Sequence, residues 1–426
     1  MKRINQLISW FGKNIFHQEF SPEAIWQSKK FILFGVGMIA GKILSVTSQI
    51  IIGRKLGPTI YGQVTLVLLI SSYFALPIVS GWSMAFTKII AKEEVVEKKH
   101  QALKALLLVV LTCCTLTVCF LFVVQKPLAS FLNIDIELVQ LAIVMTVGYS
   151  WWMLSKQVEQ GFLDWHAYIM IESCWSFFVL AGIISLVVWE KSNIATVSSV
   201  FIGAYFIAGL FLYRYIRNCI FAKIKWKYVQ AIRSHGWLLL LNGLLGTATF
   251  SIDRLLINKK LGAEAVGLYQ AHFFATYGVI STLMTVVLTY AYPFFCKNSE
   301  MNTSLSRVNK IQYPFTIAIS VGIGGGIMWM YSYPVSIALL SILSVFTAIN
   351  FHVQLKSMYF ISCGPRLSKK VFWSQVVYFF VNIITLLISI EYIGIIAGGV
   401  SLLVGASLSL ICLVKSDIIP CNERIV

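Results

Sequence analysis

Apolar runs about as long as a membrane is thick recur throughout this chain, and no other feature constrains its fold as much. A helix crossing about 30 Å of hydrocarbon needs roughly 20 mostly apolar residues, because lipid offers no partner to backbone N–H and C=O groups. Twelve stretches meet that requirement, at residues 31–53, 63–87, 103–124, 138–158, 165–189, 194–213, 237–258, 268–295, 311–330, 335–361, 371–390 and 392–414. The ninth and tenth are separated only by residues 331–334, and the eleventh and twelfth by little more than Glu391. Only 12% of the residues are charged and 58% are hydrophobic, whereas an average soluble domain is about 25% charged. The expected fold class is an all-α polytopic membrane protein.

The formal net charge of +17 does not point to nucleic acid, because that reading needs a basic face on a soluble domain or tail. The Lys and Arg residues lie instead in short segments between apolar runs. Assigned to alternate sides, 26 fall on the side of the N-terminus and 6 on the other, with Lys42 and Arg254 left inside spans. The positive-inside bias places both termini in the cytoplasm. Residues 1–30, with Lys2, Arg3, Lys13, Lys29 and Lys30 and no small-residue cleavage site, read as a retained cytoplasmic arm, and 415–426 as a cytoplasmic tail. Cys113, Cys114, Cys119, Cys174 and Cys412 sit inside apolar runs without a C-x-x-C pair and read as small hydrophobes.

The chain also repeats itself. IIIGRKLGPTIYG at 50–62 aligns without gaps with LLINKKLGAEAVG at 255–267, at a constant offset of 205 residues. Gly57 and Gly62 are matched by Gly262 and Gly267, and a basic pair precedes the first glycine in each copy. The basic pair suits a helix C-terminus, the first glycine permits a left-handed cap, and the second starts the next helix close to its neighbour. Each copy thus reads as a tight structural hairpin between the first and second helix of a half. Six helices per half is an even number, so both halves enter the membrane in the same sense, related by an axis along its normal. The expected organisation is an N-lobe at 31–213, a cytoplasmic linker at 214–236 and a C-lobe at 237–414. Two such lobes enclose a central cavity and alternate its access by rocking.

RKLGPTIYG after the first helix, the charged loop from Lys88 to Lys99, and DRLLINKKLGAEAVGLY in the second half resemble the polysaccharide-transporter branch of the multidrug/oligosaccharidyl-lipid/polysaccharide exporter superfamily. The nearest likeness is to O-antigen flippases of the Wzx type. The resemblance implies a MATE-like fold, a bacterial inner-membrane location and a role in lipopolysaccharide and polysaccharide biosynthesis. It also implies a substrate, an undecaprenyl-diphosphate-linked repeat unit carried from the cytoplasmic to the periplasmic leaflet, with membrane lipids, a polysaccharide polymerase and a chain-length regulator as partners.

Against that background the embedded charges become the candidate site. A charge near the middle of a helix costs on the order of 3 kcal/mol on insertion scales, so Lys42 should face a cavity. Ser45 and Gln49 share its face, three and seven residues on. Through the repeat, Lys42 and Gln49 correspond to Thr247 and Arg254, so each half offers one cation, separated in depth by about 10 Å. Asn242, Gly246 and Thr249 form the face leading to Asp253. Alternatively, Arg254 and Asp253 neutralise each other or snorkel to the outer interface. Under the first reading, Lys42 and Arg254 hold the diphosphate, because charge-assisted donors act more strongly in low dielectric than in water.

Asp253 and Glu172 are the carboxylates to test if transport is coupled to an ion. Lys156 and Glu159 read as a local pair, Lys88 as snorkelling, and His352 and Lys356 as sharing a face. Trp151, Trp152, Trp165, Trp189, Trp226 and Trp237 read as interfacial anchors, and Pro77 and Pro293 as kinks. No H-E-x-x-H, G-x-S-x-G or P-loop pattern occurs, so no enzyme, cofactor or metal site is expected. Three rivals remain: a membrane O-antigen polymerase or ligase, which would need a large periplasmic loop, a multidrug exporter, whose cavity should be acidic, and a peptidoglycan-precursor flippase, which usually carries two more helices.

Overall fold

The computed structural model of the chain describes residues 22–91, 93–132, 134–190, 193–219, 222–286, 288, 302–363 and 365–414. Most of the arm and all of the tail, with the expected kink at Pro293, lie outside those residues. Ten helical stretches among the described residues are long and apolar enough to cross a membrane. The first, Leu33–Ile90, passes through Gly57 at φ 77° and ψ 169°, far from helical space, and is therefore two passes. Another run, 263–286, is interrupted by the π-turn Phe274–Gly278 and is still about 36 Å long. Twelve passes result, as the hydropathy pattern requires, and no strand occurs among the described residues.

In chain order they are α1 (22–56), α2 (58–90), α3 (Val96–Leu132), α4 (Ile136–Phe162), α5 (Trp165–Val188), α6 (Ile194–Arg217), α7 (Trp226–Leu261), α8 (263–286), α9 (Asn302–Tyr331), α10 (Ile337–Cys363), α11 (Pro365–Ile393) and α12 (Ile396–Val414). Local signals set several ends. Asp164 caps α5 by accepting from the Ala167 N–H at 3.0 Å, and Asn193 with Thr196 forms a reciprocal capping box on α6. The turn at Gly57 and its counterpart at Gly262 define one end of the bundle, the hairpin end.

Within the N-lobe α4 packs on α2 and α6, and α5 on α1 and α6; within the C-lobe α12 packs on α10 and α11, and α11 on α7. The lobes meet along α2. At the hairpin end, a Cβ at Gly62 would collide with the Ala263 carbonyl, and one at Gly267 with the backbone of Pro58. Farther along, Gly81 lies against the backbone of Gly236 and Leu240 on α7. Lipid is as apolar as leucine, so helices associate in it by close packing, and glycine lets two backbones approach. The second glycine of each repeat thus sets the interlobe contact as well as the start of a helix.

Three further bonds tie the lobes together at the hairpin end. Tyr61 and Tyr331 hydroxyls lie 3.1 Å apart, the Tyr333 hydroxyl donates to the Gly53 carbonyl at 2.7 Å, and Asn258 donates to the Leu132 carbonyl at 2.9 Å. Burial pushes the Tyr333 phenol up to about 12, which keeps it a donor.

The first glycine of each hairpin does require positive φ, but it is not a left-handed cap. Gly57 has φ 77° and ψ 169°, and Gly262 φ 86° and ψ 174°. That region, positive φ with extended ψ, is open essentially to glycine alone. It lets the chain reverse without a loop.

Candidate functional site

The seventh pass is not the continuous helix that its hydropathy suggests. It runs from Trp226 to Thr249, breaks, and resumes from Ile252 to Leu261. At the break the Ser251 hydroxyl donates to the Thr247 carbonyl at 2.8 Å, and the Phe250 N–H bonds back to Gly246 and Thr247. Carbonyls freed in this way need new partners inside a membrane. The Asn382 side chain donates to the Thr249 carbonyl at 2.8 Å, and Arg254 Nη1 to the Phe250 carbonyl at 2.9 Å. The matching stretch of α1, residues 44–46, is unbroken helix, so the two halves differ where the site lies.

Asp253 and Arg254 follow the break and form no direct ion pair. Asp253 is fully buried; one carboxylate oxygen accepts from the Arg254 N–H at 2.8 Å and the other from the Tyr269 hydroxyl at 2.6 Å. The Arg254 guanidinium turns away, 4.0 Å from the centroid of the Phe273 ring. Its bond to Phe250, one turn back, aims it away from the hairpin end, so it does not snorkel there. It is 4% exposed, and its Nε and Nη2 have no hydrogen-bond partner among the described residues.

Lys42 on α1 is half-buried, with Nζ 5.1 Å from the centroid of Phe274. No carboxylate lies within ion-pair distance of it among the described residues. Ser45 on the same face is buried, and Gln49 and Thr247 are half-buried. The two cations, one from each lobe, therefore reach rings on consecutive residues of α8. Phe274 opens the π-turn, and Phe273 is the last residue before it; such turns recur at functional sites. The sequence signal was the run HFFATYG at 272–278, which hydropathy alone reads as membrane span.

Glu172 is engaged elsewhere. Lys156 and Glu159 do not form the expected local pair; Lys156 reaches across to Glu172 on α5 at 2.8 Å, and Glu159 accepts from Arg214 and from the Tyr215 hydroxyl, the latter at 2.8 Å. Lys156 Nζ also lies 4.1 Å from the ring centroid of Trp152, one turn back on its own helix, and 5.3 Å from that of Tyr168 on α5, so α4 and α5 together hold it beside Glu172. Trp152 joins Tyr149, Trp175 and Tyr205 in a ring cluster inside the N-lobe with centroids 5.3–5.7 Å apart. Trp152 is thus no interfacial anchor. His352, expected to share a face with Lys356, bonds through Nδ1 to the Tyr313 hydroxyl at 2.7 Å. Among the described residues no group of His, Cys, Asp and Glu is placed to hold a metal ion.

A membrane bundle of twelve passes, duplicated at its hairpins and carrying one cation from each half against the same helix, can be compared with known proteins. Residues 28–299 match the family described as polysaccharide biosynthesis protein. The chain belongs to that family. None of the curated proteins compared is similar enough to count as a match. Among solved structures it is similar to the outward-facing conformation of a multidrug resistance MATE family transporter of the MOP superfamily, at 15% identity and a TM-score of 0.68, over 91% of this chain and 95% of that one. A MOP superfamily transporter from Pyrococcus furiosus, described by a reversed polarity of its binding pocket, gives 16% and 0.67 over the same shares. The inward-facing multidrug transporter gives 14% and 0.64, over 88% and 93%. These likenesses establish the MATE fold for a chain of the polysaccharide biosynthesis family.

Proposed function

We propose that this polysaccharide-family transporter is a flippase for a polyprenyl-diphosphate-linked sugar unit. The observation that carries the reading is an imbalance of partners. Of the four embedded charges of the site, the acids are occupied, Asp253 by Tyr269 and a backbone N–H and Glu172 by Lys156, while Lys42 and Arg254 have no carboxylate within ion-pair distance among the described residues. A site with free cations and occupied acids selects an anion. A diphosphate supplies acceptors for the guanidinium nitrogens left without a bond.

In this reading Lys42 and Arg254 hold the diphosphate from opposite lobes, with Gln49 and Thr247 lining the path, and rocking about α2 exposes it first to one leaflet and then to the other. The membrane is the bacterial inner membrane, with both termini cytoplasmic, the substrate an undecaprenyl-diphosphate-linked O-antigen or related repeat unit, and the partners a polymerase and a chain-length regulator. A multidrug exporter with the same fold would offer free carboxylates to organic cations. Deleting the gene tests the reading. Lipid-linked repeat units should accumulate on the cytoplasmic leaflet, and their undiminished appearance on the outer leaflet would refute it.

A further inference from the structure

The C-lobe interior holds buried polar atoms without a partner among the described residues, and they line one seam. Asn242 on α7 is 8% exposed, and neither its Oδ1 nor its Nδ2 has a partner among the described residues. On α11, Gln375 Oε1, the Tyr378 hydroxyl and Asn382 Oδ1 are likewise buried and unpartnered. Gln375, Tyr378 and Asn382 are spaced three and four residues apart, on one helical face.

The bond from Asn382 to the Thr249 carbonyl fixes the register between α7 and α11. Both helices run toward the hairpin end, so two turns back from that bond, about 10 Å, Asn242 and Gln375 stand at the same level. Between the levels lies Gly246, on the face of Asn242, where an added Cβ would meet nothing within 4 Å. The seam is therefore a line of unpartnered polar atoms with open space beside Gly246.

The free atoms state what the seam can hold. Three are amide oxygens, which accept and cannot donate. Hydrocarbon offers them nothing, and a phosphate, itself an acceptor, offers them no hydrogen. A guest bearing hydroxyl or amide N–H groups satisfies the oxygens and can also accept from Asn242 Nδ2 and the Tyr378 hydroxyl. We infer that the seam between α7 and α11 is a sugar subsite, in which Asn242, Gln375, Tyr378 and Asn382 bind the part of the glycan next to the diphosphate. This inference rests on the flippase reading above; it adds where the sugar lies and which side chains select it.

The test uses the full chain in nanodiscs and two probes of equal chain length, a short polyprenyl diphosphate and the same lipid carrying a disaccharide. The wild type should bind the glycosylated probe about tenfold tighter, the worth of one or two added hydrogen bonds. Asn242→Ala and Gln375→Ala should each shrink that preference to within about twofold while leaving the bare diphosphate unaffected. If either fails to fold, Gly246→Val, which places carbon in open space, should give the same result. No preference in the wild type, or a preference that survives the substitutions, means the seam holds only water and overturns the inference. Equal weakening of both probes means the residues only pack, and overturns it too. Arg254→Gln, read on the bare probe, tests the diphosphate reading separately.

Discussion

Gly62 packs directly on Gly267, its own counterpart one repeat later, so the two halves of the duplication meet at the residue that most plainly records it. An added methyl on either would strike backbone, which cannot rotate away. Gly62→Val and Gly267→Val should therefore each destabilise the protein by about 1–3 kcal/mol, the usual range for overpacking. Thermal unfolding in detergent checks this, and a variant as stable as the wild type would show that the lobes do not pack this closely.

Gly57 and Gly262 have nothing within 4 Å of an added Cβ, so any cost of substitution there lies in the backbone alone. Gly57→Ala and Gly262→Ala should cost similar amounts, about 1–3 kcal/mol each, because the dihedrals are nearly the same. Both variants should still bind lipid diphosphate. A large difference between them, measured by the same unfolding assay, would mean that the hairpins are not equivalent.

Lys156 and Glu172 form a pair with side chains 15% and 17% exposed. Removing either charge leaves the other embedded, at a cost of up to about 3 kcal/mol. Lys156→Glu combined with Glu172→Lys should recover more than half of the stability lost in either single variant. A double variant as unstable as the sum of the singles would show that the two side chains do not meet.

Phe273 and Phe274 present ring faces to Arg254 and Lys42 at 4.0 and 5.1 Å. Replacing each by leucine keeps an apolar side chain of most of the volume and removes the ring, at about 0.5–2 kcal/mol per contact. Phe274→Leu should slow transport without loss of folded protein, since its cation comes from the other lobe. Unchanged transport in both variants would confine the rings to packing.

The fold was legible because membrane spans and duplications are written in one dimension. Hydropathy placed the passes, and the constant offset from Gly57 to Gly262 placed the hairpins. The conformation of those glycines was half legible: positive φ follows from residue type, whereas ψ depends on how abruptly the next helix must start. Pairing was not legible. Lys156 and Glu159 stand one turn apart in sequence, yet each bonds across helices. The break at 249–251 was hidden because Thr249, Phe250 and Ser251 are apolar enough to pass for span; only the carbonyls taken up by Asn382 and Arg254 reveal it. Arg254 was legible as an embedded charge and not as a buried guanidinium with free nitrogens, because that depends on where Asp253 turns.

The central claim is that two unpaired cations, one from each lobe, hold the anionic head of the substrate. Its most direct measurement is flipping of a polyprenyl-diphosphate-linked glycan in proteoliposomes, followed by accessibility to a membrane-impermeant glycosidase. Arg254→Gln and Lys42→Gln should each cut the rate at least about tenfold, since one charge-assisted bond is worth that much, with normal insertion and with Arg214→Gln near the wild-type rate. Full transport by a correctly inserted Arg254→Gln, Lys42→Gln double variant would contradict the account.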